Sequence, residues 1–181
     1  GLILFSIVVT WVFGREFSDR TAKELLALPI SRETIVTAKF IVIGVWSLAV
    51  TLLVFGVSIV VGQLIVLPGW SAELLASTFV GVMGCALLTL GLLPFVAFIA
   101  STGRGYMASF GWIILTMVLA QFSAIMGWGD RFPWAIPSLF SGVAGPRAEA
   151  LGVHSYIIWL ATFLLGLTVT YRWWRDADQT R

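Results

Sequence analysis

The chain has 181 residues, 59% of them hydrophobic and 11% charged, whereas ordinary soluble domains carry roughly 45–50% and about 25%; the mean hydropathy is +0.99. A water-soluble fold of this size has too little interior to hide so many apolar side chains, so lipid must act as part of the solvent. A net charge of +2 is too small to advertise nucleic-acid binding, a single cysteine excludes an internal disulfide, and 6 prolines without low-complexity runs exclude collagen-like and disordered chains.

In chain order, residues 1–14 form an apolar run whose helical rise of about 21 Å is too short to cross a hydrocarbon core of about 30 Å. It has no basic flank and no small-residue cleavage site, so it reads as the end of a truncated span and not as a signal peptide.

Residues 15–39 follow, and they are the longest charge-bearing stretch of the chain. Ser18 or Asp19 can cap a short helix running to about Leu28. Ala22, Leu25 and Leu26, with Leu28 beyond them, give that helix an apolar face, and Arg20, Lys23 and Glu24 surround it with charge. Pro29 stops it and biases Leu28 towards an extended conformation. Ser31 caps the next helix, Ile30 can clasp Ile35 as a hydrophobic staple, and Lys39 is expected at the membrane surface. Asp19 and Glu24 nearly balance Arg20 and Lys23, so the short helix attracts anionic headgroups weakly; this favours docking on a partner protein over lying in the lipid interface.

Four runs then reach full spanning length without Asp, Glu, Lys or Arg: 40–62, 74–100, 106–128 and 153–171. In the second of them Ser77, Gly81, Cys85 and Thr89 recur every four residues and form a small face suited to helix packing. No His, Asp or Glu lies within a turn of Cys85, which argues against a nucleophile or metal ligand. Pro94, one turn after Gly91, predicts a kink, either as shape or as a hinge. Between the last two spans, residues 129–152 form a loop in which Pro133 and Pro137 interrupt regular helix, while Trp134 and Phe140 suit an interface. Residues 172–181 form a charged tail.

Lys and Arg retained on the cytoplasmic side orient these spans. Arg15, Arg20, Lys23, Arg32, Lys39, Arg104, Arg172, Arg175 and Arg181 fall on one side, and Arg131 and Arg147 on the other. The split places 15–39, 101–105 and the tail in the cytoplasm. Tyr171, Trp173 and Trp174 then read as inner interface anchors, and Trp70, Trp128 and Trp134 as outer ones. The expected fold is all-α: a polytopic helical membrane protein, one transmembrane domain with four full spans, a partial one and a cytoplasmic helix.

What the spans lack is equally informative. Ion-driven transporters carry ionisable groups at depth, whereas these spans offer hydroxyls and amides such as Ser47, Thr51, Ser58, Thr116, Gln121, Ser123, Thr162 and Thr168. Such groups bond their own backbone or a neighbouring helix. His154, the only histidine, has no second ligand at helical spacing. Phosphate-loop, nucleophile-elbow and zinc-protease motifs are absent, so no catalytic residue, metal or cofactor is expected on this chain, and energy for uphill transport must come from another one.

The order Glu16, Thr21, Lys23, Leu25-Leu26, then Leu28-Pro29-Ile30-Ser31-Arg32 and Lys39 entering a span, resembles the signature of ABC transporter permeases of the type 2 exporter class, above all bacterial permeases of the bacitracin and lantibiotic resistance kind. The tail from Arg172 to Arg181 is similar too. The resemblance implies six spans in the intact chain, and it makes 15–39 the coupling segment, whose helix rests in a cleft of a cytosolic ATPase. It further implies that Glu16, Asp19, Thr21, Lys23, Glu24, Leu25, Leu26, Leu28 and Pro29 form the docking surface, that ATP and magnesium are bound by the partner subunit, and that two permease copies, alike or unlike, assemble in the bacterial plasma membrane to export a hydrophobic or amphipathic substrate. The loop with Pro133, Trp134 and Pro137 would dip back into the outer leaflet. The alternative from another class is a non-transporting membrane anchor or sensor whose cytoplasmic helix recruits a soluble partner.

Overall fold

A computed structural model of the chain describes residues 1–18, 30–65, 71–103, 106–142 and 151–176. Among these residues there is no strand, and the helices in chain order are α1 (Leu2–Ser18), α2 (Arg32–Leu64), α3 (Ala72–Leu90), α4 (Leu93–Thr102), α5 (Tyr106–Ile125), the short α6 (Ile136–Phe140) and α7 (Val153–Asp176). Single 3-10 turns at Gly129–Arg131 and Pro133–Ala135 lead into α6. Four segments are long and apolar enough to cross a membrane: Arg32–Leu64, Ala72–Thr102, Tyr106–Ile125 and Val153–Asp176. The protein is thus an all-α, multi-pass membrane protein, as its composition requires.

Local chemistry sets the helix ends. Ser31 accepts the Thr34 amide at 3.2 Å, and Ser71 does the same for Leu74 at 3.1 Å, each satisfying a donor that the first turn leaves orphaned. α2 begins well before the apolar run; its 33 residues give about 50 Å of rise, more than the hydrocarbon core needs. α5 stops at Ile125, short of the expected residue 128, because Gly127 takes φ 82°. Its amide then bonds Ala124 O at 3.3 Å and that of Trp128 bonds Ser123 O at 2.8 Å, a Schellman closure.

The expected kink is a complete break: α3 ends at Leu90, and Gly91 and Leu92 form the joint before α4. Pro94 has no amide hydrogen, and the Leu92 amide turns to Thr89 O at 3.0 Å. The carbonyl of Leu88 is then taken by the indole of Trp159 at 2.8 Å, while the Thr170 hydroxyl lies 2.7 Å from Gly166 O of its own helix and 2.9 Å from Pro94 O. α7 thus touches both sides of the break, and at Leu88 it satisfies a backbone carbonyl that lipid could not. Gly91 is required for this, since a Cβ there would run into the Trp159 ring.

Half of the most apolar window of Ala72–Thr102 is buried, against 17–22% in the other three spans. The α3–α4 element is the centre of the bundle, and α4 packs chiefly on α7 and α1. The core joins Phe5, Val9 and Phe13 of α1 with Val36 and Ile43 of α2, the α4 residues Leu93, Val96, Ala97 and Ala100, and Trp174. Outward-facing Val, Ile and Leu of α2, α5 and α7 remain exposed, as lipid permits.

Candidate functional site

Of the expected docking residues, Asp19, Thr21, Lys23, Glu24, Leu25, Leu26, Leu28 and Pro29 lie outside the described residues. Glu16 belongs to the last turns of α1, and its side chain is outside the description as well. The structure does describe the two helices on either side of the segment and what they are fastened to.

The fastening is a cluster around Lys39. This residue is expected at the membrane surface, but it is 8% exposed and lies on the buried face Ile35, Lys39, Ile43, Ser47 and Thr51 of α2. Its ammonium donates to the carbonyl of Val12 in α1 at 2.7 Å and sits 5.0 Å from the ring centroid of Phe13 and 5.3 Å from that of Trp174. Burial of a lysine costs free energy unless a carbonyl and aromatic faces replace its water, and here both do. Trp174, expected as an interface anchor, is instead 1% exposed: its ring meets Phe13 edge-on at 6.1 Å, and its indole N–H donates to Ser101 Oγ at 3.0 Å. The interior provides the acceptor that an indole seeks at a membrane surface. Arg32, in the first turn of α2, donates to the carbonyls of Trp174 at 3.4 Å and Arg175 at 3.2 Å, capping the last turn of α7. The hydroxyls of Thr37 and Tyr171 add a contact at 2.8 Å between the same two helices.

The helices flanking residues 19–29 are therefore bound to each other through Lys39 and to α7 and α4 through Arg32 and Trp174. Lys39→Met keeps the stem and removes the charge. It is expected to weaken the α1–α2 joint by about 1.5–3 kcal/mol, the range for hydrogen bonds to charged groups. Amide exchange near Val12 should then be faster by at least about tenfold, since 1.4 kcal/mol is one decade; an unchanged rate would mean that the ammonium does not hold the joint.

At the other end, the small face does not pack along its whole length. Ser77 is exposed. Gly81, Cys85 and Thr89 line a cavity of about 460 Å³ between α1, α2 and α3, closed on the loop side by Phe140 and Ser141. The hydroxyls singled out in the spans turn mostly onto their own helices: Thr51 to Ser47 O, Ser58 to Val54 O, Thr116 to Trp112 O and Thr162 to Ile158 O, all at 2.8–2.9 Å. Ser47 Oγ is buried with no hydrogen-bond partner among the described residues.

In the loop, Pro133 opens the second 3-10 turn and Pro137 sits in the first turn of α6, positions that need no amide hydrogen. Ala135, Ile136 and Leu139 are buried against the bundle. Trp134 is no outward anchor: its ring lies 5.6 Å from those of Phe95, Trp112 and Phe132. Trp128, 72% exposed, does face outward. His154, in the first turn of α7, pairs its Nε2 with Asp130 Oδ2 at 2.8 Å and so ties the loop to that helix. The two residues are 24 apart, so no helical spacing could reveal the pair. Lys39 did leave a signal, since it falls in a four-residue series with Ile35 and Ile43. No group of three or more metal-ligating side chains occurs among the described residues.

Comparison with known proteins adds the family. A family model described as an ABC-2 family transporter protein matches residues 1–123. The bacitracin transport permease protein of Bacillus licheniformis is 29% identical over 184 residues, covering 98% of this chain and 85% of that protein. No solved structure matches the chain.

Proposed function

Because the chain belongs to the ABC-2 family of transporter proteins, we propose that it is the membrane subunit of an exporter driven by a separate ABC ATPase that docks on residues 15–39. Catalysis resides on the partner, which holds ATP and magnesium; this chain supplies the path and the lever. ATP closes the ATPase, its cleft drags the helix at 19–28, and the attached spans tilt. Such coupling requires the docked helix to bind the two ATPase states with different affinity, since equal affinity shifts nothing.

The observation that carries this reading is the cluster around Lys39. A pull on the segment loads α1 and α2 at once, and Arg32 and Trp174 pass the load to α7 and α4. Glu16, Asp19, Thr21, Lys23 and Glu24 are the polar contacts to the ATPase, Leu25, Leu26 and Leu28 the apolar anchor, and Pro29 the rigid corner. The assembly contains two permease copies, alike or unlike, in the bacterial plasma membrane, with 15–39 and the tail in the cytoplasm. The substrate is hydrophobic or amphipathic, consistent with spans whose hydroxyls are largely spent on their own backbone. The similar permease carries bacitracin in its name, which makes bacitracin the first compound to assay.

The test is co-purification. Leu25→Asp combined with Leu26→Asp places two charges on the apolar face, and it is expected to abolish association with the ATPase while membrane insertion, governed by the spans, continues. Undiminished association would overturn the docking model.

A further inference from the structure

We infer that the outward face of α5 is where two copies of this chain meet, with the Gln121 side chains of both copies paired to each other. The inference rests on the two-copy assembly proposed above and names its contact. Exposed hydroxyls on the flanks of the bundle need no second molecule: those of Ser58 and Thr168 return to Val54 O and Leu164 O of their own helices at 2.8 and 2.9 Å. Gln121 is exposed as well, but its amide bonds none of the described residues. It lies one turn before the end of α5 at Ile125. Because the Cα–Cβ bond of a helical residue tilts towards the N-terminus, the side chain leans away from that end and into the apolar zone. Lipid supplies neither donor nor acceptor there, and an unpaired amide is costly.

Spacing and symmetry select the occupant. Met107, Gly111, Ile114, Val118 and Gln121 follow one another at steps of four, three, four and three, and all five are exposed, Met107 at 85% and Ile114 at 62%. Such a repeat keeps one seam facing its partner along two helices that wrap at a shallow left-handed angle. Copies inserted in the same sense are related by a two-fold axis along the membrane normal. Their α5 helices then run parallel, and each residue near the axis meets its own counterpart. A primary amide suits that geometry, since it carries both donor and acceptor and two of them can bond reciprocally. Gly111, nearly three turns earlier, lets the helices approach closely: it presents no side chain, and a Cβ built there meets nothing of its own chain within 4 Å. One polar pair in an otherwise apolar seam fixes register and partner number.

Cross-linking in membranes of cells expressing the full-length protein, in a Cys85→Ser background, reads the contact directly. Oxidation with copper phenanthroline is expected to join two copies through Ile114→Cys or Val118→Cys. It should not do so through Leu119→Cys, a position 45% exposed but about a quarter of a turn round the helix from Val118. Energy transfer between donor- and acceptor-labelled copies, followed in phosphatidylcholine vesicles as the lipid-to-protein ratio rises, gives the affinity. Gln121→Leu is expected to weaken it about tenfold, and Gln121→Asn, which keeps the amide, to restore part of the loss. Gly111→Ile should weaken it at least as much, although nothing in its own chain is crowded. Cross-linking through Leu119→Cys as strong as through Val118→Cys overturns the seam, as does an affinity unchanged by both Gln121→Leu and Gly111→Ile. If energy transfer persists while the seam cysteines stay unlinked, the copies meet elsewhere: this inference fails and the two-copy assembly stands. A further segment of the same chain covering α5 gives that result too. Absence of energy transfer in the unsubstituted protein removes both.

Discussion

Trp174→Ala is expected to cost about 3–5 kcal/mol of stability, the usual range for removing a large buried aromatic side chain, read as a lowered unfolding midpoint of the purified protein in detergent. The loss has three sources: the edge contact with Phe13, the aromatic face beneath the Lys39 ammonium, and the hydrogen bond to Ser101 Oγ. Because spanning helices persist in lipid when they separate, most of the cost is lost packing between helices rather than renewed exposure to water. Trp174→Phe keeps the ring contacts and gives up only the indole N–H, so it should cost about 1 kcal/mol. If alanine and phenylalanine are equally mild, Trp174 is not a core residue.

The second large effect is expected at Gly166. A Cβ there would lie 2.8 Å from the backbone nitrogen of Phe95 and 3.2 Å from the Pro94 side chain. Neither neighbour can rotate aside, since one is main chain and the other a ring fused to it. Gly166→Ala must push α7 off α4, at the roughly 1–3 kcal/mol typical of overpacking, and Gly166→Leu must do more. The shift also lengthens the contact of Thr170 with Pro94 O and strains the bond from Trp159 to Leu88 O, which satisfies a carbonyl at the break. The check is again the unfolding midpoint, together with amide exchange across Leu90 to Phe95. Alanine tolerated at no cost would show that the two helices do not approach as closely as their geometry requires.

Much of the architecture is legible in local patterns. Run length and the absence of charge mark the spanning segments; Ser31 before Arg32 marks a cap, and Gly91 with Pro94 marks an interruption. Each of these signals depends on residues within a few positions of one another, where spacing and chemistry suffice. The segment proposed to dock rests on signals of the same local kind, the spacing of Asp19, Leu25-Leu26 and Pro29, and on a resemblance to a transporter family; these residues lie outside the described ones.

Amino-acid order alone, then, decides that this protein lives in lipid and where its described apolar helices begin and are punctuated, because transfer to the bilayer and backbone satisfaction act segment by segment. Only the assembled bundle decides that Lys39 and Trp174 turn inward, that Arg32 caps a helix end 143 residues away, and that Gly81, Cys85 and Thr89 face the start of α1 across a cavity. Those outcomes depend on which faces meet, and in lipid an apolar face has no intrinsic preference for protein over acyl chains. The choice falls to close packing and to stray donors and acceptors, whose partners are distant in the chain.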